Sequence, residues 1–202
     1  MTAPIDFTPG PQSGGRDPAP GELGLVQAFV NSFWDLEHDH GAELLHSPSA
    51  LAGWLHGRGL LSPSARLSRA DLRRALAVRE GLRAMMLANN GHQLDPAAVE
   101  RLNSAVGRGG IVIQFESDGS PRFEPQRNDL DGALAFILSI VARSQLDESW
   151  ARFKACPGDD CGWAFYDYSR NQAGAWCSMA VCGSRAKARA YRRRNRPRGV
   201  DW

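Results

Sequence analysis

No apolar run in this 202-residue chain approaches the ~20 residues that a bilayer-crossing helix needs. The opening residues, MTAPIDFTPGPQSGGRDPAPGELG, have neither a basic start nor an apolar stretch behind it, so they do not read as a secretory leader. Together these absences make a cytoplasmic protein the expectation. Internal repeats are missing too. So are a nucleophile elbow, a phosphate loop and an H-E-x-x-H pattern, the commonest sequence signs of hydrolases, nucleotide-binding enzymes and zinc proteases. The chain therefore reads as non-enzymatic. Cysteine is absent from the first 155 residues and from the last 20.

All four cysteines fall in one 27-residue stretch, as two C-x4-C pairs: Cys156 with Cys161, and Cys177 with Cys182. In a reducing compartment such clustering favours metal ligation over disulfides. Four soft thiolates suit zinc, and a closed tetrahedron of them leaves no position for a substrate, so the ion would contribute folding energy rather than catalysis. An iron–sulfur cluster and disulfides are the competing readings. Around the cysteines, WARFKAC and CGWAFYDY read as short aromatic-rich strands, joined by the polar turn Pro157-Gly158-Asp159-Asp160. Ser184 reads as the cap of a following helix, RAKARAYRRR. Knuckle, hairpin and helix start can place four sulfurs on one tetrahedron, a treble-clef-like plan holding one structural zinc per chain.

Charge is unevenly spread. Residues 1–150 carry 13 Lys/Arg against 18 Asp/Glu, whereas residues 183–202 carry eight against the single acid Asp201. A basic end on an acidic body is the layout of a polyanion contact. At about 100° per residue, Arg185, Arg189, Arg192 and Arg196 share one helix face, Arg193 flanks them, and Lys187 and Arg194 point elsewhere. The expected DNA-binding set is Arg185, Lys187, Arg189, Arg192, Arg193 and Arg196. RNA and a merely solvated helix are the alternatives, as is a finger that contacts another protein. Trp163, Phe165 and Trp176 could stack on bases, but in so small a lobe they read better as its core. Asp167 and Arg170 are expected to pair or to bond backbone inside it.

The remainder reads as a mostly helical body with one hairpin. Residues 1–21, rich in Pro, Gly and Ser, suggest a disordered arm. Residues 22–148 form the body and 149–198 the finger. LGLVQAFVNSFWDL has apolar residues near helical spacing; SPSALAGWLHGRGL begins with a serine cap; Ser68 and Asp71 open the longest helix, about 69–89, with a capping box. Asp95-Pro96 starts another helix, and GIVIQFESDGSPRFEP is a hairpin turning at Asp118-Gly119. LDGALAFILSIVARS is apolar on most sides, so it lies in the core or in a homodimer interface. Arg79 and Arg83, four residues apart on the long helix, and Asn31, on the Phe29/Phe33 helix, form a candidate clamp for a small anionic ligand. Salt bridges with Glu80 and other acids are the competing reading. Glu37, His38, Asp39, His40, Glu43 and His46 make a conceivable metal cluster, but they read better as a solvated loop.

The stretch CPGDDCGWAFYDYSRNQAGAWCSMAVCGSRAKARAYRRR resembles the CGNR zinc finger, a C-terminal module of bacterial transcription regulators. The two C-x4-C pairs, the C-G-W-x-F-x-D-x-S-R-N run, the W-C-S-M junction and the C-G-x-R-A-K helix start carry the likeness. Two positions depart from it. Ser184 stands where the family name has asparagine, and Ala173-Gly174-Ala175 replaces an arginine-rich stretch, which weakens phosphate contact from that loop. AFVNSFWDL, ELLHSPSALAGWLHGRGL and LRRALAVREGLRAMML are similar to the ABATE domain usually paired with this finger. The resemblance implies a nucleoid-associated DNA-binding regulator whose N-terminal domain senses a ligand or dimerises.

Overall fold

The structure, a computed structural model, describes residues 4–10, 12–34, 42–107, 109–159 and 161–195. It is mainly α with three two-stranded antiparallel hairpins. Helix α1 (Leu23–Val30) is buried along its whole length. It ends earlier than the apolar pattern suggests: Asn31 is its C-cap, and Phe33 lies on strand β1 (Phe33–Trp34), which pairs with β2 (Ala42–Glu43). Helix α2 (Pro48–Gly57) is capped by Ser47, whose hydroxyl accepts from Ala50 N at 3.1 Å, with Pro48 in the first turn where no donor is needed.

Helix α3 (Arg69–Asn89) opens with the expected capping box. Ser68 accepts from Asp71 N, and the Asp71 carboxylate returns to Ser68 N at 2.8 Å. Its inner face, Ala75, Val78, Leu82 and Met86, is fully buried. Helix α4 (Pro96–Ala105), capped by Asp95, packs across α3 where Gly81 lets Leu102 approach. Strands β3 (Ile111–Phe115) and β4 (Pro121–Pro125) form the hairpin, in the register Ile111↔Pro125 and Ile113↔Phe123, with the tight turn at Gly119 (φ +82°). Helix α5 (Leu130–Leu146) buries Leu134, Phe136, Ile137, Ile140 and Val141 in the chain's own core. That burial removes the ground on which α5 suggested a homodimer interface.

The finger begins with a 3-10 turn (Ser149–Arg152) and strands β5 (Phe153–Ala155) and β6 (Ala164–Tyr166), paired Phe153↔Tyr166 and Ala155↔Ala164. Helix α6 (Ser184–Arg194) closes the described chain. The finger is not a separate bead. Trp150, Phe153, Ala155, Ala164 and Tyr166 belong to the same hydrophobic cluster as α1, α3 and α5, while Cys156, Cys161, Trp163, Phe165, Cys177 and Cys182 form a second, smaller cluster on the hairpin's far side.

The arm departs most from expectation. In place of disorder, residues 4–22 (Pro11 apart) lie against both parts of the molecule. Asp6 N donates to Arg58 O, the Phe7 ring meets Phe136 at 6.3 Å, Ala19 is buried with its N–H on Gln27, and Tyr168 Oη donates to Pro18 O at 2.8 Å. Composition pointed to disorder because nothing periodic marks the segment; single side chains and backbone groups hold it instead.

Candidate zinc centre and basic helix

The knuckle is built by the turn between β5 and β6. Cys156 N donates to Trp163 O at 2.9 Å, and Cys161 N to Gly158 O at 3.0 Å, which turns both sulfurs to the same side. The second pair is set differently from its sequence reading. Ser184 does not cap α6. Its hydroxyl donates back to Met179 O, and Ser178 is the cap, accepting from Val181 N at the start of a π-turn spanning Met179–Gly183. This wider turn merges into α6 and places Cys182 inside it, next to Cys177. Gly183 lets the Met179 side chain lie close over the turn, its sulfur 2.3 Å from where a Cβ would stand.

All four sulfurs lie within 4.8 Å of one another and all four residues are buried. Cys161 and Cys177 are 3.4 Å apart, Cys177 and Cys182 3.7 Å. These spacings are too long for disulfides, whose sulfurs sit at about 2.05 Å. They are close to the edge of about 3.8 Å for a tetrahedron with zinc–sulfur bonds near 2.3 Å. The electrostatics ask for a cation. Hydrogen bonds from Cys161 and Cys177 hold Cys156 as a thiolate, while burial and that charge raise the Cys182 thiol above its ordinary range. A divalent ion at the centre lets four buried sulfurs ionise together. Cys156, Cys161, Cys177 and Cys182 thus form the site of one structural zinc. No other group of potential ligands is found among the described residues; of the histidine-rich stretch, residues 35–41 lie outside them, and Glu43 is engaged elsewhere.

Trp163 and Phe165 are buried against the cysteines and Trp176 is partly buried beside them, so they are core, not stacking platforms. Asp167 does not pair with Arg170 but does bond backbone, accepting from Ser169 N and Gly174 N. It is buried and takes Lys154 Nζ at 2.9 Å, Ser169 Oγ at 2.6 Å and Gly174 N at 2.8 Å, while Lys154 also donates to Gln172 O and Gly174 O. Arg170 is exposed at the tip of the loop thus fixed.

The candidate anion clamp has a different role. Arg79 grips Glu43 with two bonds of 2.8 and 2.7 Å and also binds Glu80 and Ser32. Arg83 binds Glu80, Val30 O, Phe33 O and Gly162 O. Asn31 makes a reciprocal pair with Ala164, donating to its carbonyl at 2.9 Å and accepting from its N–H at 2.7 Å. Every side-chain nitrogen of the three has a partner in the protein, which favours the competing reading of internal pairing. Arg83 and Asn31 instead fasten β6 and its approach to the body. Asn89 and Asn90 do the same from the end of α3, reaching Trp150 O, Phe153 O, Ala155 O and Ala175 O at 2.7–2.8 Å.

Helix α6 has no buried residue and no acid. Arg185, Lys187, Arg192 and Arg193 are exposed; Arg189 is on the half-buried border with Ala186 and Ala190, and its Nε lies 3.4 Å from Asp159 of the knuckle. The stripe therefore has Arg189 at its inner edge, tied to the zinc knuckle. Arg196 lies outside the described residues. No helix among the described residues is long and apolar enough to cross a membrane.

Comparison with known families agrees with this organisation. Residues 23–148 match the ABATE model, described as "Putative stress-induced transcription regulator", and residues 152–195 match the CGNR zinc finger. No curated protein matches the chain. On the length of the first match and the four-cysteine centre within the second, the chain belongs to the ABATE family and ends in a CGNR zinc finger.

Proposed function

We propose that the protein is a non-enzymatic transcription regulator that contacts DNA through α6, with the zinc centre setting that helix's direction. The observation that carries this reading is the join between metal site and helix. Cys182, a zinc ligand, sits in the π-turn that runs without a break into α6, and α6 offers Arg185, Lys187, Arg189, Arg192, Arg193 and Arg194 with no acid among them. A rigidly anchored helix whose charged residues are all basic suits phosphates lining a groove. The closed thiolate set supports a scaffolding role for the metal, since it leaves no coordination position for a substrate.

Residues at the first turn of such a helix lie where base edges are commonly read. Arg185 is therefore expected to contribute specificity and Arg192 general affinity. In fluorescence-anisotropy titrations against duplexes selected from genomic fragments, Arg185→Ala should cost about 1–3 kcal/mol and relax sequence preference. Arg192→Ala should weaken all duplexes alike and flatten the salt slope by about 1. Unchanged affinity and slope in both variants, with zinc retained, would reject DNA contact through α6 and favour a protein-binding finger.

A further inference from the structure

A cavity of about 710 Å³ opens between the N-terminal arm and the β3–β4 hairpin. Its volume is in the range of small-molecule sites. Phe7 of the arm, Phe123 of β4 and Phe136 of α5 supply aromatic walls, with Ile5 and Pro125 beside them. The charged groups on its lining are Glu22, Glu116, Glu124 and Arg122, and Arg122 is shared between Glu116 at 3.0 Å and Glu124 at 3.2 Å. The lining thus joins aromatic rings to three carboxylates, which outnumber by one the guanidiniums of Arg122 and the adjoining Arg143. Its wall already holds one guanidinium in this manner: Arg143 lies 4.2 Å over the Phe123 ring and 2.6 Å from Glu22. Ring faces plus carboxylates are the chemistry that binds organic cations.

The wall supplied by the arm leads directly to the zinc centre. Beyond Phe7 the arm turns at Ser13–Gly15, where Ser13 Oγ lies 3.8 Å from the Cys177 sulfur. Arg16 then donates to Cys177 O at 2.8 Å and Trp176 O at 2.7 Å, with its guanidinium 4.4 Å over the Phe165 ring. Gly14 (φ +65°) is needed for this approach, since a Cβ there would lie 2.7 Å from Ser178 Cβ. Ser178 caps the π-turn leading into α6. One strap therefore walls the cavity at one end and grips the start of the basic helix's support at the other.

We infer that this cavity is an effector site for a planar aromatic cation, and that its occupancy reaches the zinc finger through the arm. The regulatory consequence rests on the DNA-binding reading; ligand binding and its effect on the arm do not, and they are measured without DNA. The zinc-loaded full chain is titrated calorimetrically with 2-naphthamidine, 2-naphthamide and 2-naphthoate, which share a ring system and differ in charge. The amidinium should bind saturably, at least tenfold more tightly than the neutral amide, and the carboxylate most weakly. Glu116→Gln/Glu124→Gln changes only side chains on the exposed rim. It should cut amidinium affinity about tenfold and leave the amide unchanged. Hydrogen exchange should shift on amidinium binding at residues 4–8 and also at 12–16 and 176–178. Absence of saturable amidinium binding, equal affinity for the three probes, or indifference to the rim substitutions would overturn the site. Tight amidinium binding with exchange at 12–16 and 176–178 unmoved would overturn the transmission through the arm.

Discussion

Replacing Cys177 with serine will abolish zinc binding and melt the outer half of the finger while the helical body stays folded. The cluster around the metal is too small to stand alone: four of its six buried residues are the cysteines themselves, with Trp163 and Phe165 as the other members. Structural zinc contributes about 10–16 kcal/mol of apparent binding energy in isolated finger peptides, and that energy is folding energy. The loss should stop at the β5–β6 hairpin. Phe153, Ala155, Ala164 and Tyr166 are packed into the body's core, and Asn31, Gln27 and Asn89 hold their backbone. Hydrogen exchange should therefore rise at 156–163 and 174–195 and at arm residues 12–16, whose anchors are Cys177 O and Trp176 O. It should stay low in α1, α3 and α5. Protection of α6 in a zinc-free variant would contradict this, and so would collapse of the whole chain in one transition.

Lys154→Ala is expected to destabilise the protein by about 3–5 kcal/mol, because it leaves the Asp167 carboxylate buried without its cation. Asp167 is 1% exposed and Lys154 5%. Lys154→Ala/Asp167→Asn, which removes both charges, should recover part of the loss, since the greater penalty lies in the unpaired ion. The pair also sets a pH window. Burial pushes the Asp167 carboxyl up, but the Ser169 hydroxyl and Lys154 ammonium outweigh it and hold the group at about 2, below its ordinary 3.8. A carboxyl depressed on folding contributes stability that is present above the ordinary value and lost as pH falls through about 2. Urea midpoints across this range should show the wild type losing more stability than the double variant. Parallel curves would contradict the assignment.

Much of this architecture can be read from residue order because it rests on local chemistry. The Ser68–Asp71 capping box, the Asp95-Pro96 start, the hairpin turning at Gly119 and the C-x4-C pairs each need only neighbours in the chain. What escaped depends on partners far away. Arg79, Arg83 and Asn31 carry the donors of an anion site, yet Glu43, Gly162 O and Ala164 O lie 36, 79 and 133 positions away from them. No spacing rule announces those partners. The arm was hidden for the same reason: Arg16 acts on carbonyls about 160 positions on. Ser184 looked like a cap because its residue type suits one. The π-turn shifted that role to Ser178, since Cys182 must reach the metal.

The most direct test of zinc-directed DNA binding is the salt dependence of affinity for one duplex, measured on the zinc-loaded protein and again after chelation. Three to four phosphates neutralised by Arg185, Arg189, Arg192 and Arg196 give a log–log slope of about −2.7 to −3.6 per finger, at roughly −0.9 each. The expected result is a slope in that range with zinc and a lower affinity with a shallower slope without it, because an unanchored helix cannot present its arginines together. Identical slopes and affinities in the two states would show that the zinc does not direct the helix. A slope near zero in both would show that α6 is not a DNA-binding element.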